Sequence, residues 1–317
     1  MASTSAWLFL MLCPSLFSYV YAAPDEHLHA RGAPPTPFWR RSSVPSVGFY
    51  NPTSNGGQWL TQVQDTYPPG QGEPINVVIS GDSDTAVLQN QEINGGLLNY
   101  FISFGYSTEC LGQHQGAPQA ANLGDGLNFV NQTAEIRWDY GNPELGTCEE
   151  TIEGGSHFRY WSQDGSQADS NAVFMASSYE LPETDQHNII FNGYNLGRDW
   201  LVGNVTNQTQ IINSTLLTNS SEYTGKTAYG GYTYQTTAKY YSGFLPNTSY
   251  GVNHNLSVGN AQTNAVDGWL AVLTVKIVDQ PQSSSARLAW STPSWQALLL
   301  SIVAAFFLHT MALTISV

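Results

Sequence analysis

The alternation of apolar and polar positions is clearest in the middle of the chain. Residues 74–80 (PINVVIS) form a short apolar, β-branched run, the pattern of a buried strand. After the turn at 81–84 (GDSD), apolar positions Val87, Leu88, Leu97, Leu98, Phe101, Ile102 and Phe104 recur at roughly helical spacing. The predicted order is strand, turn, helix. Asp82 or Ser83 then stands where a side-chain oxygen caps a helix, and acidic groups there suit the positive end of its dipole.

Further along, residues 134–140 (AEIRWDY) alternate as a strand. In 157–161 (HFRYW) the period of two sets His157, Arg159 and Trp161 on one face and Phe158 and Tyr160 on the other. Residues 171–179 predict another strand, and 193–202 (GYNLGRDWLV) a glycine-punctuated turn entering a short helix or strand. Two more strands are expected over 232–241 and 269–278, the second apolar enough to be central. Together these elements predict an α+β fold with a mixed, largely antiparallel sheet and one or two helices. The β-rich C-terminal part either completes that sheet or forms a small subdomain.

Both ends of the chain differ from this pattern. Residues 1–22 carry a short apolar core followed by small residues, the features of a cleaved signal peptide, and 23–45 read as a disordered lead-in or propeptide. The dibasic pair Arg40–Arg41 is either a processing site or part of an uncut linker. The globular extracellular domain is expected over residues 46–280, followed by a polar linker at 281–294. An uncharged apolar run then covers 295–317. Small residues, a spacer and an apolar tail in that order match the signal for a glycosylphosphatidylinositol anchor, with Ser284 as the attachment site. A permanent spanning helix is the rival, but no Lys or Arg follows the run.

An extracellular destination changes the meaning of several residues. With Cys13 in the leader, Cys110 and Cys148 remain as an even pair, expected to form one disulfide worth about 4 kcal/mol on the chain-entropy model. Sequons stand at Asn131, Asn204, Asn207, Asn213, Asn219, Asn247 and Asn255, which makes the segment after residue 204 a glycan-bearing surface. The formal net charge of -14 disfavours nucleic acid and anionic lipid headgroups as partners, because phosphate contacts need clustered Lys and Arg. The expected partners are the membrane, through the anchor, and cell-wall glycans.

Candidate chemistry is confined to a few groups. Between Ser42 and Gln282 the cations are Arg137, Arg159, Arg198, Lys226, Lys239 and Lys276. If His157, Arg159, His187, Arg198 and Asp199 met in one cleft, the imidazoles and carboxylate could bind a divalent metal or share acid and base roles. The guanidiniums would grip a phosphate or carboxylate, so Arg159 and Arg198 are the anion-binding candidates and His157, His187 and Asp199 the catalytic ones. An extracellular hydrolase or a metal or anion binder would follow. The competing assignment makes these residues satisfied structural groups. No nucleotide, nucleophile-elbow or cofactor fingerprint is present, and no cofactor is expected. The 17 Tyr and 9 Trp allow a third reading, a glycan-stacking surface.

The elements PINVVISG, HFRYW, His187-Asn188-Ile189 and GRDWLV, in that order, resemble the LssY C-terminal domain family. They are more closely similar to a group of fungal secreted proteins sharing the GYN-[IL]-GRDWLV element. The similarity covers roughly residues 74–203 and implies neither an activity nor a set of catalytic residues. The leading expectation is therefore a lipid-anchored surface or cell-wall glycoprotein with an interaction or structural role.

Overall fold

A computed structural model of the chain describes residues 46–114 and 116–282. The expected signal peptide, lead-in, Ser284 attachment site and apolar tail lie outside the described residues, as does the side chain of Asn255. Among the described residues, no helix is long and apolar enough to cross a membrane.

The fold is α+β. Its main sheet is built from β1 (Val77–Ile79), β2 (Tyr106–Thr108), β5 (Ala134–Trp138), β6 (Ser156–Ser162), β7 (Val173–Tyr179), β8 (Glu222–Tyr229), β9 (Tyr232–Thr248) and β10 (Val266–Asp279). They lie in the order β2-β5-β6-β7-β1-β10-β9-β8, and β3 (Ala120–Ala121) and β4 (Val130–Asn131) form a separate ribbon. Every pair in the main sheet is antiparallel except β1 with β10. The C-terminal strands thus complete the same sheet, with β10 central as its apolar run predicts. The helices α1 (Leu97–Ser103), α2 (Gly146–Glu153) and α3 (Gly193–Val205) exceed the expected one or two, and Asn255–Val258 adds a single turn.

Alternation along the strands divides the interior in two. Ile136, Phe158, Tyr160, Met175 and Leu273 pack beneath α1 and the C-terminal half of α3. On the opposite face Val78, Trp161, Phe174 and Leu270 are covered by irregular segments carrying Phe49, Trp59, Ile75 and Val252. Burying one such side chain contributes about 1.5–3 kcal/mol, so both layers are substantial. The disulfide forms as expected: Cys110, after β2, is bonded to Cys148 in α2.

The central strand is too short for its neighbours. β1 has 3 residues, whereas β7 has 7 and β10 has 14. It pairs only with 173–175 of β7 and 271–273 of β10, so both neighbours run past it with backbone groups that need other partners. Beyond its C-terminal end, Ser80 and Asp84 donate their N–H groups to Leu273 and Val275 carbonyls. Ser83 Oγ accepts from Val275 N and Asp84 Oδ2 from Ile277 N. The expected helix cap at Asp82 or Ser83 is therefore corrected: this turn extends the ladder along β10, and the helix begins only at Leu97.

The gap on the other side of β1 is filled by the first turns of α3. Asn76 Nδ2 donates to the Ser177 and Tyr194 carbonyls, and its Oδ1 accepts from Ser177 N. Asn195 Oδ1 accepts from Asp267 N. Gly193 and Gly197, four apart and hence on one helix face, let α3 lie against β7. A Cβ on Gly197 would stand 2.5 Å from the Ser178 carbonyl carbon.

Arg198 closes the gap and is fully buried. Its Nε and Nη2 donate to Asp199 at 2.8 and 3.0 Å, and its Nη1 and Nη2 to Asp267 at 2.7 and 2.9 Å. Nη1 also donates to the Trp269 carbonyl at 2.9 Å, which uses the fifth and last N–H of the guanidinium. Tyr240 supports the group with its ring under the guanidinium and its hydroxyl on Asp199. Arg198→Ala would strand the buried Asp199 carboxylate and the Trp269 carbonyl. We expect a loss of about 3–5 kcal/mol in urea denaturation, as for other broken buried pairs; a loss under 1 kcal/mol contradicts this role.

Candidate functional site

Three adjacent strands place a row of charged residues on one face of the sheet. In β5 the alternation that buries Ile136 on one side sends Glu135 and Arg137 to the other, and β6 does the same with His157 and Arg159. The register sets Glu135 opposite Arg159, Arg137 opposite His157, and His157 opposite Ser178 of β7. Opposite charges thus meet as direct cross-strand neighbours.

Four further groups complete the cluster. Glu180 follows β7, His187 comes from the loop after it, Glu150 from α2, and Glu73 from the segment before β1. Glu135 is gripped by Arg137 Nη2 and, at 2.7 Å, by Arg159 Nη2. Arg137 Nη1 lies 2.8 Å from Glu150 and 3.5 Å from Glu180. Arg159 Nη1 lies 3.6 Å from Glu73. His157 Nε2 is 3.0 Å from Ser178 Oγ and 3.4 Å from Glu180 Oε1, and His187 Nδ1 is 3.5 Å from Glu180 Oε2. Glu180 therefore joins both histidines to Arg137.

Electrostatics follow from burial and from the excess of carboxylates. Four glutamates face two guanidiniums, and Glu150 and His157 are both 0% exposed. Burial pulls His157 down to about 4 against the attraction of Glu180 and Glu135, so its imidazole is neutral at pH 7. Burial also pushes Glu150 up to about 7, partly offset by Arg137. Burial raises Glu73 as well, with Arg159 opposing. For Glu180 burial is outweighed by His157, His187, Arg137 and Arg159, which hold the carboxyl down to about 2. The Glu180 carboxylate 3.5 Å from its Nδ1 raises His187, the member of the cluster nearest solvent.

The expected five-residue cleft is thus split. His157, Arg159 and His187 come together, whereas Arg198 and Asp199 belong to the α3 plug with Asp267 and Tyr240. Arg198 has no N–H left for an anion, and Asp199 is bonded to Arg198 and Tyr240 rather than to either histidine. The strand alternation that placed His157 and Arg159 on one face applied equally to Glu135 and Arg137. Glu73, Glu150 and Glu180 carry no local signal, because they arrive from separate turns of the chain.

The sequons separate by exposure. Asn131, Asn207, Asn213, Asn219 and Asn247 are exposed. Asn204 lies on α3 with its Nδ2 buried, so the folded domain leaves no room for a glycan at that atom.

No family model matches the chain, and no curated protein or solved structure matches it either. The similarity to the LssY C-terminal domain family rests on the short motifs alone.

The cluster has a measurable pH signature. The folded state keeps a proton on Glu150 that the unfolded chain releases near 4.5, so ionisation of Glu150 removes stability as pH rises from 4.5 through about 7. Glu150→Gln cannot ionise. Its stability relative to the parent, from denaturant melts, should improve across that window and stay constant above it; a pH-independent difference rules out this account.

Proposed function

We propose that the chain is an extracellular, lipid-anchored glycoprotein that acts by interaction or as a structural element rather than by turnover. One observation carries this reading: the groups best suited to chemistry are sealed by their own partners. Arg198 is spent on two aspartates and a carbonyl, and His157 lies beneath Glu180, Ser178 and Arg159. A substrate would have to break these pairs before reaching them, at a cost of several kcal/mol. The aromatic residues point the same way, since most take part in internal ring contacts while Tyr67 and Tyr250 stand out at the surface. Glycans of a cell wall are the partners such exposed rings would suit. The motif similarity to fungal secreted proteins and the anchor signal support an outer fungal cell surface as its location.

A phospholipase that cleaves inositol lipids, applied to intact cells, should release the protein into the medium without residues 295–317. Retention of the protein together with that tail refutes the anchor.

A second reading, a divalent-cation site, is favoured by a specific feature of the cluster. Glu150, His157 and Glu180 each offer a ligand atom within 4.8 Å of the other two. His157 Nδ1 and Glu150 Oε1 are buried without a hydrogen-bond partner. One imidazole and two carboxylates form an ordinary donor set for Zn2+. Arg137, which bridges the two carboxylates, already supplies positive charge there and competes with a metal. Elemental analysis of the purified domain discriminates between these states. A cation site requires one equivalent of metal, a lower Tm after chelation, and loss of both properties in Glu150→Gln. A metal-free protein whose Tm ignores added Zn2+ leaves the cluster as an internal salt-bridge network.

A further inference from the structure

The ribbon formed by β3 and β4 ends in an apolar tip. Leu127, Phe129 and Val130 are 50%, 45% and 43% exposed, three large apolar residues within four positions. Leu127 and Val130 also line a cavity of about 280 Å³ together with Trp161 and Asp164. Asn131 and Thr133, the first and third residues of a sequon, line the same cavity. An exposed apolar group of this kind is costly in a secreted protein unless something covers it.

The backbone around the sequon is fixed. Asn131 pairs with Ala120 and Val130 with Ala121, Gln132 N donates to the Gln119 carbonyl, and Thr133 N donates to the Tyr160 carbonyl. Phe129 and Asn131 flank Val130, which keeps their Cα atoms within about 7 Å of each other, and Asn131 lines the same cavity as Leu127 and Val130. That spacing matches the distance from an asparagine to the body of an attached sugar. A β-linked N-acetylglucosamine carries axial C–H groups on one face, and such a face packs on an aromatic ring while the hydroxyls stay in water. Asn128 and Asp164, exposed residues lining the same cavity, offer acceptors and donors for those hydroxyls.

We propose that the N-glycan of Asn131 is packed against the domain, with its first N-acetylglucosamine covering the tip formed by Leu127, Phe129 and Val130. This inference rests on the reading of the chain as a glycosylated secretory protein, and it makes one glycan a part of the fold rather than a solubilising appendage. Glycans at Asn207, Asn213, Asn219 and Asn247 have no aromatic residue two positions before them, since those positions hold Val205, Ile211, Leu217 and Leu245. The effect is therefore specific to Asn131.

The test is a double-mutant cycle on the secreted, glycosylated protein, combining Asn131→Gln with the tip variant Leu127→Ser/Phe129→Ser. Glycopeptide mass spectrometry should find sugar on Asn131 in the parent and in the tip variant. Loss of the glycan should lower Tm by about 2–4 °C in the parent, the shift expected for about 1 kcal/mol in a domain of this size, and by under 1 °C in the tip variant. Trimming the parent with an endoglycosidase that leaves one N-acetylglucosamine should preserve the difference. An unmodified Asn131 overturns both this inference and glycosylation at the site. A modified Asn131 whose removal shifts both backgrounds equally, or leaves Tm unchanged, overturns only the packing. Loss of the effect on trimming overturns the role of the first sugar. The anchor is untouched by any of these results, because phospholipase release tests it separately.

Discussion

A three-residue parallel strand at the centre of an eight-stranded sheet imposes the constraint on which the rest of this domain depends. Hydrogen-bonding groups of β7 and β10 extend past β1 at both ends, and no solvent reaches the inside of the sheet to satisfy them. Side chains take over the ladder. Ser83 and Asp84 do so on one side, and Asn76, Asn195 and Arg198 on the other. The GYNLGRDW segment has its composition for this reason: the glycines bring the helix onto β7, and the arginine reaches across to β10. Arg198 is the most buried charge in that wedge, and Asp199, Asp267 and Tyr240 are what make its burial tolerable.

The second charged cluster solves a different problem. β5 and β6 turn polar residues toward a face that further along the sheet is filled by Trp161 and Phe174. The charges are shielded there by α2 and by the loop carrying Glu180 and His187, and the disulfide from Cys110 to Cys148 ties α2 to the turn after β2. Because carboxylates outnumber guanidiniums, the cluster holds protons rather than full charge, with Glu150 ionising near neutrality and His157 staying neutral. A site built this way is sensitive to pH.

The domain is polar and acidic overall, with few cations and several exposed asparagines in sequons. The apolar tip at Leu127, Phe129 and Val130 stands out against this polar surface.

Local chemistry in the sequence determined the strands β1, β5, β6, β7, β9 and β10, though not β2, β3, β4 or β8, together with the polar faces of β5 and β6, the single disulfide and the central position of β10. Those features depend on period-two alternation, residue type and cysteine count, all readable along a few neighbouring residues. The sequence did not show that β1 stops after three residues, that Ser83 and Asp84 serve β10 instead of capping a helix, or that α3 fills the opposite gap. Nor did it show that His157 and Arg198, close together in one block of the sequence, go to separate clusters. Glu73, Glu150 and Glu180 come from distant turns to meet Arg137 and Arg159. Only tertiary structure decides such matters, because burial of a charge and the supply of its partners are set by how remote segments pack, not by the order in which they are written.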